Sequence, residues 1–165
     1  MKHFSLHGFE AFIIDQLLIN ISTDHPTDDA WHSYCEWAVA TCGAPGTVRG
    51  CFVWAPHHGP SAEHRRIIAA ADKTGVMEAI RRVGIVTDSI RVRGALVALG
   101  WLKPLHQAEL RGFAIAQPLK ALHWLSEVAR FDRVLVEREV LEPLNLTGSL
   151  TKGARAAIRN RTGTP

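Results

Sequence analysis

Apolar and polar positions change their period several times along the 165-residue chain, and each change marks an element. Phe9 to Ser22 carries two short β-type runs that meet near Asp15 and Gln16, which predicts an antiparallel hairpin. Leu17, Ile19 and Ile21 alternate with Leu18, Asn20 and Ser22, so one face is apolar and the other mixed, a pattern suited to a strand near a sheet edge. Pro26, Thr27, Asp28 and Asp29 then form a helix start, with a capping hydroxyl and two carboxylates where the helix dipole favours them. Trp31, Tyr34, Cys35, Ala38 and Cys42 recur at helical spacing, and Gly43 is a fitting terminator.

Val48 to Ala55 reads as the next strand, stopped by Pro56. A loop through His57 and His58 follows, and Ser61 caps a helix with Glu63 in its first turn and Ile67, Ile68 and Ala71 as its apolar stripe. Lys73-Thr74-Gly75 breaks that stripe. Val83 to Val86 is too continuously apolar to keep one face wet and predicts a strand buried on both sides. Asp88 and Ser89 are turn and N-cap residues, and Ile90 to Leu102 has the length of a helix that is apolar nearly all round. Leu110 to Ile115 reads as a further strand, and Gln117-Pro118 opens a helix with Leu119, Leu122, Leu125 and Ala129 on one face. Phe131 to Leu141 fits strand or helix equally.

This alternation predicts an α/β domain over residues 1–142: a small, mainly parallel sheet with an antiparallel N-terminal hairpin edge and helices packed on it. Residues 143–165, dominated by Gly, Thr, Arg and Asn, read as a basic, disordered tail.

Charge changes the picture in one respect. The formal net charge is +3 with histidines neutral. Lys152, Arg155, Arg159 and Arg161 all follow the last acidic residue, Glu142, and account for more than that excess. The remaining body is slightly acidic, which argues against a nucleic-acid partner, since such domains carry a basic face. No run approaches the length of a membrane span, and no signal-peptide pattern opens the chain. Cys35, Cys42 and Cys51 form no metal or redox motif and read as buried, reduced thiols of a cytoplasmic protein.

The segment V-G-I-V-T-D-S-I-R-V-R-G, with R-G-F-A at Arg111 to Ala114 and L-K-A-L-H-W-L at Leu119 to Leu125, resembles the STAS (SpoIIAA-like) family, closest to small bacterial STAS/SEC14-like proteins. The likeness covers about residues 9 to 130 and rests most on Val86 through Gly94 and on to Trp101. It implies a SpoIIAA-like fold and a regulatory module that works by protein contacts. In the phosphorylated antagonists of the family a Ser or Thr at the start of this helix is the switch, and the matching position is Ser89. Those members read D-S-S-G or D-T-S-G, whereas Ser89 is followed by Ile90, Arg91 and Val92.

The expected function is therefore non-enzymatic: binding a protein partner, or a second copy, through the helix after the central strand, with Ser89 as a phosphorylation candidate. A phosphate there would meet free N–H groups and the positive end of the helix dipole, while the plainer role for Asp88 or Ser89 is to cap the helix. The expected surface comprises Asp88, Ser89, Arg91, Arg93, Val97 and Trp101 together with His57 and His58. Val97 and Trp101, with Gly94 and Ala98, lie on a different side of the helix from Val92, Leu96, Leu99 and Leu102, and would form an apolar patch unless the segment beyond Phe131 covers it. The alternative is a SEC14-like module for a lipid or phosphate-bearing small ligand. A third reading uses His57, His58 and His64 with Asp88 for metal-assisted hydrolysis, but no H-E-x-x-H, C-x-x-C or G-x-S-x-G motif accompanies them, so they read as exposed loop histidines. No catalytic residue, metal ligand or cofactor is assigned.

Overall fold

The computed structural model describes residues 1–6, 8–24, 26–43, 46–55, 62–71, 79–92 and 108–143. Six strands form one mixed sheet in sequence order: β1 (Lys2–Leu6), β2 (Phe9–Ile14), β3 (Leu17–Ser22), β4 (Gly50–Trp54), β5 (Arg82–Val86) and β6 (Glu109–Phe113). The first three pair antiparallel, and β3 through β6 pair parallel. The α/β class, the hairpin and the parallel region all follow the sequence pattern. Strand β1 does not, because K-H-F-S-L is polar and mostly exposed and gives no core signal.

The β2–β3 turn needs a residue that accepts the left-handed region, and Asp15 takes it at φ 49°. Gln16 then anchors the turn. Its carbonyl accepts from Arg49 and Gly50 N–H groups at 2.9 and 3.2 Å, and its side-chain oxygen accepts from Arg130 N–H at 3.0 Å. This hairpin holds β3 in the middle of the sheet, between β2 and β4, and that corrects the edge placement expected from its mixed face. Asn20 on that face is buried, not solvated.

On one face lie α1 (Asp28–Cys42) and α2 (Ala62–Ala71). Thr27 caps α1 by accepting from Ala30 N–H at 3.2 Å, and Gly43 ends it at φ 63°, both as the sequence predicts. Tyr34, Cys35, Ala38 and Cys42 are buried against Phe9, Ala11, Ile13, Leu18 and Cys51. The opposite face is covered by α3 (Pro118–Ser126) and by α4 (Arg133–Val136), which runs into a π turn at Glu137–Leu141. Phe131 to Leu141, open in the sequence, is thus helical from Arg133 on: the Asp132 side chain caps it by accepting from Leu135 N–H, and Val136, Val140 and Leu141 join Phe12, Ile19, Phe52 and Leu122 in the larger core cluster.

Burial on both faces sets the chemistry of the thiols. Cys51 is pushed up to about 12 by burial, with Cys42 adding, Cys35 to about 11 by burial, and Cys42 upward for the same reason against a small opposing pull from Lys2. Tyr34 is raised well above its ordinary value by burial and by Cys51, while the Asn20 side chain pulls the other way. A thiol whose folded pKa is raised holds its proton where the unfolded chain has lost it. Stability is therefore complete below the ordinary value of 9.0 and falls as pH climbs from there toward the folded values. Iodoacetamide at about pH 8 should leave all three cysteines unmodified in the native protein and label them after denaturation; rapid native labelling would contradict this packing.

Helix α3 sits close because the sheet is thin beneath it. Gly50 and Gly84 underlie its apolar face, and a Cβ on Gly50 would stand 3.0 Å from Ala129 Cβ and 3.3 Å from Leu17 Cδ1. On Gly84 the nearest atom would be Leu125 Cδ1 at 3.4 Å, an ordinary contact. Gly50→Ala should cost about 1–3 kcal/mol through overpacking, and Gly84→Ala clearly less. Urea denaturation of the two variants checks the order.

Candidate functional site

The parallel strands end together, and past those ends the backbone groups must find partners outside the ladder. Ala55 N–H donates to Val86 O at 3.1 Å and Thr87 N–H to Phe113 O at 2.9 Å, which prolongs the pairing by one residue on each strand. Thr87 is fully buried, and its hydroxyl accepts from Ser89 N–H at 3.1 Å. Ser89 Oγ in turn accepts from Val92 N–H at 3.3 Å, which is N-cap geometry for the helical turn that begins at 90–92. Asp88 Oδ1 accepts from Ile115 N–H at 3.0 Å and so ties the end of β5 to the loop after β6.

This bend is held from three directions yet stays accessible. Asp88 and Arg91 are exposed, Ser89 is half-buried and Val92 is buried. Ile90, between the cap and Arg91, is 81% exposed. Asp88, Ser89 and Arg91, expected as one surface, are brought together here. His57, His58, Arg93, Val97 and Trp101 lie outside the described residues, as do the segment beyond 92 expected to be an apolar helix and the expected disordered tail from 144 on.

His64 corrects the expectation of an exposed loop histidine. It lies on α2, is 1% exposed, and stacks on the Trp31 ring with centroids 4.8 Å apart and planes 19° from parallel. Its Nε2 stands 3.2 Å from Asp28 Oδ1, and Trp31 Nε1–H donates to the His64 carbonyl at 3.1 Å. The ring clasps α1 to α2, a structural role that sequence spacing could not assign because its partners are about 33 residues away in the chain. Among the described residues no group of three His, Cys, Asp or Glu side chains could hold a metal ion.

A second concave surface has no counterpart in the sequence reading. Arg111 on β6, with Leu119, Lys120, His123 and Trp124 on α3, Glu127 at its C-terminal cap and Arg133 on α4, lines an open groove of about 430 Å³. Beside it Arg82, 19% exposed, donates to Glu127 Oε2 at 2.5 Å, to Glu109 Oε2 at 3.1 Å and to the Trp124 carbonyl at 2.7 Å. The Arg82 guanidinium lies 4.7 Å from the Trp124 ring centroid. The hydrogen bond from Arg82 holds Glu127 below the usual carboxylate range.

No family model matches the chain, and comparison with curated proteins and with solved structures finds no match. No helix among the described residues is long and apolar enough to cross a membrane.

The strand-end bend makes a defined prediction. Ser89→Ala should cost about 1 kcal/mol, the usual value of a lost N-cap, and Ser89→Asp should keep most of it. Asp88→Ala, which strips Ile115 N–H of its acceptor, should cost about 1–2 kcal/mol. Urea titrations of the three variants give the comparison.

Proposed function

We propose that the chain is a non-enzymatic regulatory module of STAS type, acting in the cytoplasm by binding a protein partner, or a second copy of itself, at the strand-end bend. One observation carries this reading: Ser89 is a half-exposed hydroxyl at a helix N-cap on a bend that Thr87 and Asp88 already hold in place. A phosphoryl group added there would place about 1.5 to 2 negative charges against the first N–H groups of the helix, beside Arg91. Nothing else in the bend has to move for the surface to change its charge.

Ile90 supports the same reading from the side of affinity. A branched aliphatic side chain held outward by a hydrogen-bonded bend loses little freedom on docking, and most binding energy resides in a few such anchors. The polar frame of Asp88 and Arg91 would then set which partner fits. The three buried thiols are in keeping with a reducing compartment.

Two measurements on protein isolated from its native host test the proposal. Mass spectrometry should find phosphate on Ser89 in a fraction of the chains. The partner retained by wild type should be lost from an Ile90→Asp variant whose melting temperature is unchanged, and Ser89→Asp should alter its retention. A chain without phosphate at Ser89, whose three forms retain one identical set of partners, would overturn the reading.

A further inference from the structure

We infer that the groove between β6, α3 and α4 is a binding site for a small organic phosphate monoester. In it, Arg111 and Lys120 hold the phosphate, and Leu119 with the small exposed part of Trp124 receives the organic body. The site shares no residue with the strand-end bend and does not depend on the role proposed for it.

The charge arrangement singles out these two cations. Four basic side chains, Arg111, Lys120, His123 and Arg133, line the groove, against the single carboxylate of Glu127. Arg133 is matched by Glu137 at 2.7 Å, and Glu127 is claimed by Arg82 at 2.5 Å. Among the described residues no carboxylate comes within 4 Å of Arg111 or Lys120, although the Arg111 charge still acts on Glu127 and helps hold its carboxyl low. Arg111 is nevertheless held in place, because its guanidinium lies 5.4 Å from the Phe113 ring centroid and 5.9 Å from that of Trp124. A guanidinium resting against aromatic rings makes no hydrogen bond to them and keeps its N–H donors for an acceptor. A planar donor fork fixed by aromatic rings, with an ammonium nearby, suits the oxygens of a phosphate, Arg in bidentate fashion and Lys as a point charge.

Size and lining narrow the ligand further. The groove is open, and its volume of about 430 Å³ has room for a small ligand that keeps one side in solvent. A carboxylate would meet the two cations with one charge, whereas a phosphate monoester brings close to two. Inorganic phosphate would leave the apolar wall of Leu119 and Trp124 unused. A phosphate carrying a short apolar or planar body uses both.

Calorimetric titration of the full chain with phenyl phosphate and with inorganic phosphate tests the site. Phenyl phosphate should bind about tenfold or more tightly than inorganic phosphate, as burial of its ring on the apolar wall requires. Lys120→Gln, at an exposed helix position that leaves the core untouched, should weaken phenyl phosphate severalfold, and Arg111→Gln about tenfold or more. Arg138→Gln, which removes a cation paired with Glu139 outside the groove, should change nothing. Equal affinity for the two phosphates, no saturable binding, or equal losses in Lys120→Gln and Arg138→Gln would each overturn the assignment. If Arg111→Gln fails to fold, the Lys120→Gln and Arg138→Gln pair still decides it.

Discussion

The close seating of α3 on a sheet stripped of side chains at Gly50 and Gly84 is the constraint on which the rest of the molecule depends. Parallel strands such as β4 and β5 are stable only when both faces are covered. One cover, α1 and α2, comes from the crossover connections. The other has to come from the chain after β6. It reaches the sheet because Ala121, Leu125 and Ala129 meet glycine backbone in place of side chains, so that Leu122 and Leu125 are completely withdrawn from water. Arg82 then closes one end of this contact, joining β5 to Glu109 of β6, to Trp124 of α3 and to Glu127 at its C-terminal cap. Its pKa is raised by those carboxylates, the hydrogen bond it donates to Glu127 foremost. An ion pair this exposed adds little energy by itself, so its value is in register: it decides where α3 sits along the sheet, and therefore where the groove opens.

The same packing explains why two separate surfaces arise. At the carboxyl ends of the parallel strands the ladder runs out, and Thr87, Asp88 and Ser89 satisfy the leftover N–H groups with their side chains. A bend of this kind is rigid for electrostatic reasons and exposed for topological ones, which suits a recognition surface. Along α3, by contrast, the apolar stripe that faces the sheet ends at Trp124, and the next positions around the helix, Lys120 and His123, are already exposed. Arg111 projects from the last strand onto that border. The groove exists because β6 is a short strand at the end of the sheet, with a polar, mostly exposed sequence.

Much of this was legible in the residues. Thr27 with Asp28 and Asp29, Gly43, Pro118 and the Asp15-Gln16 turn are local signals, and each depends on hydrogen bonds or dihedral preferences within a few positions of the chain. The polar strand β1 escaped because an edge strand with one partner needs no hydrophobic pattern. Phe131 to Leu141 escaped for the opposite reason. Its apolar residues fit either period, and only the cap at Asp132 and the place left for Val136, Val140 and Leu141 on the sheet make it helical.

Of the strand-end site, Asp88, Ser89 and Arg91 could be picked out from the turn chemistry after an apolar strand, although that strand is not buried on both sides as expected, Val83 and Ile85 being only half-buried; the tie from Asp88 to Ile115, across the whole β5–β6 connection, could not. His64 misled because a histidine in the first turn of a helix carries no mark of the tryptophan it will stack on. Periodicity, caps and turns by themselves determined an α/β chain with its hairpin first and its parallel strands after, because those properties are set by neighbours in sequence. Tertiary structure alone decided that β3 is central, that Asn20 and His64 are buried, and that Arg111 and Lys120 share a groove. Each of those outcomes requires two distant segments to meet, and a one-dimensional pattern does not hold the distance between them.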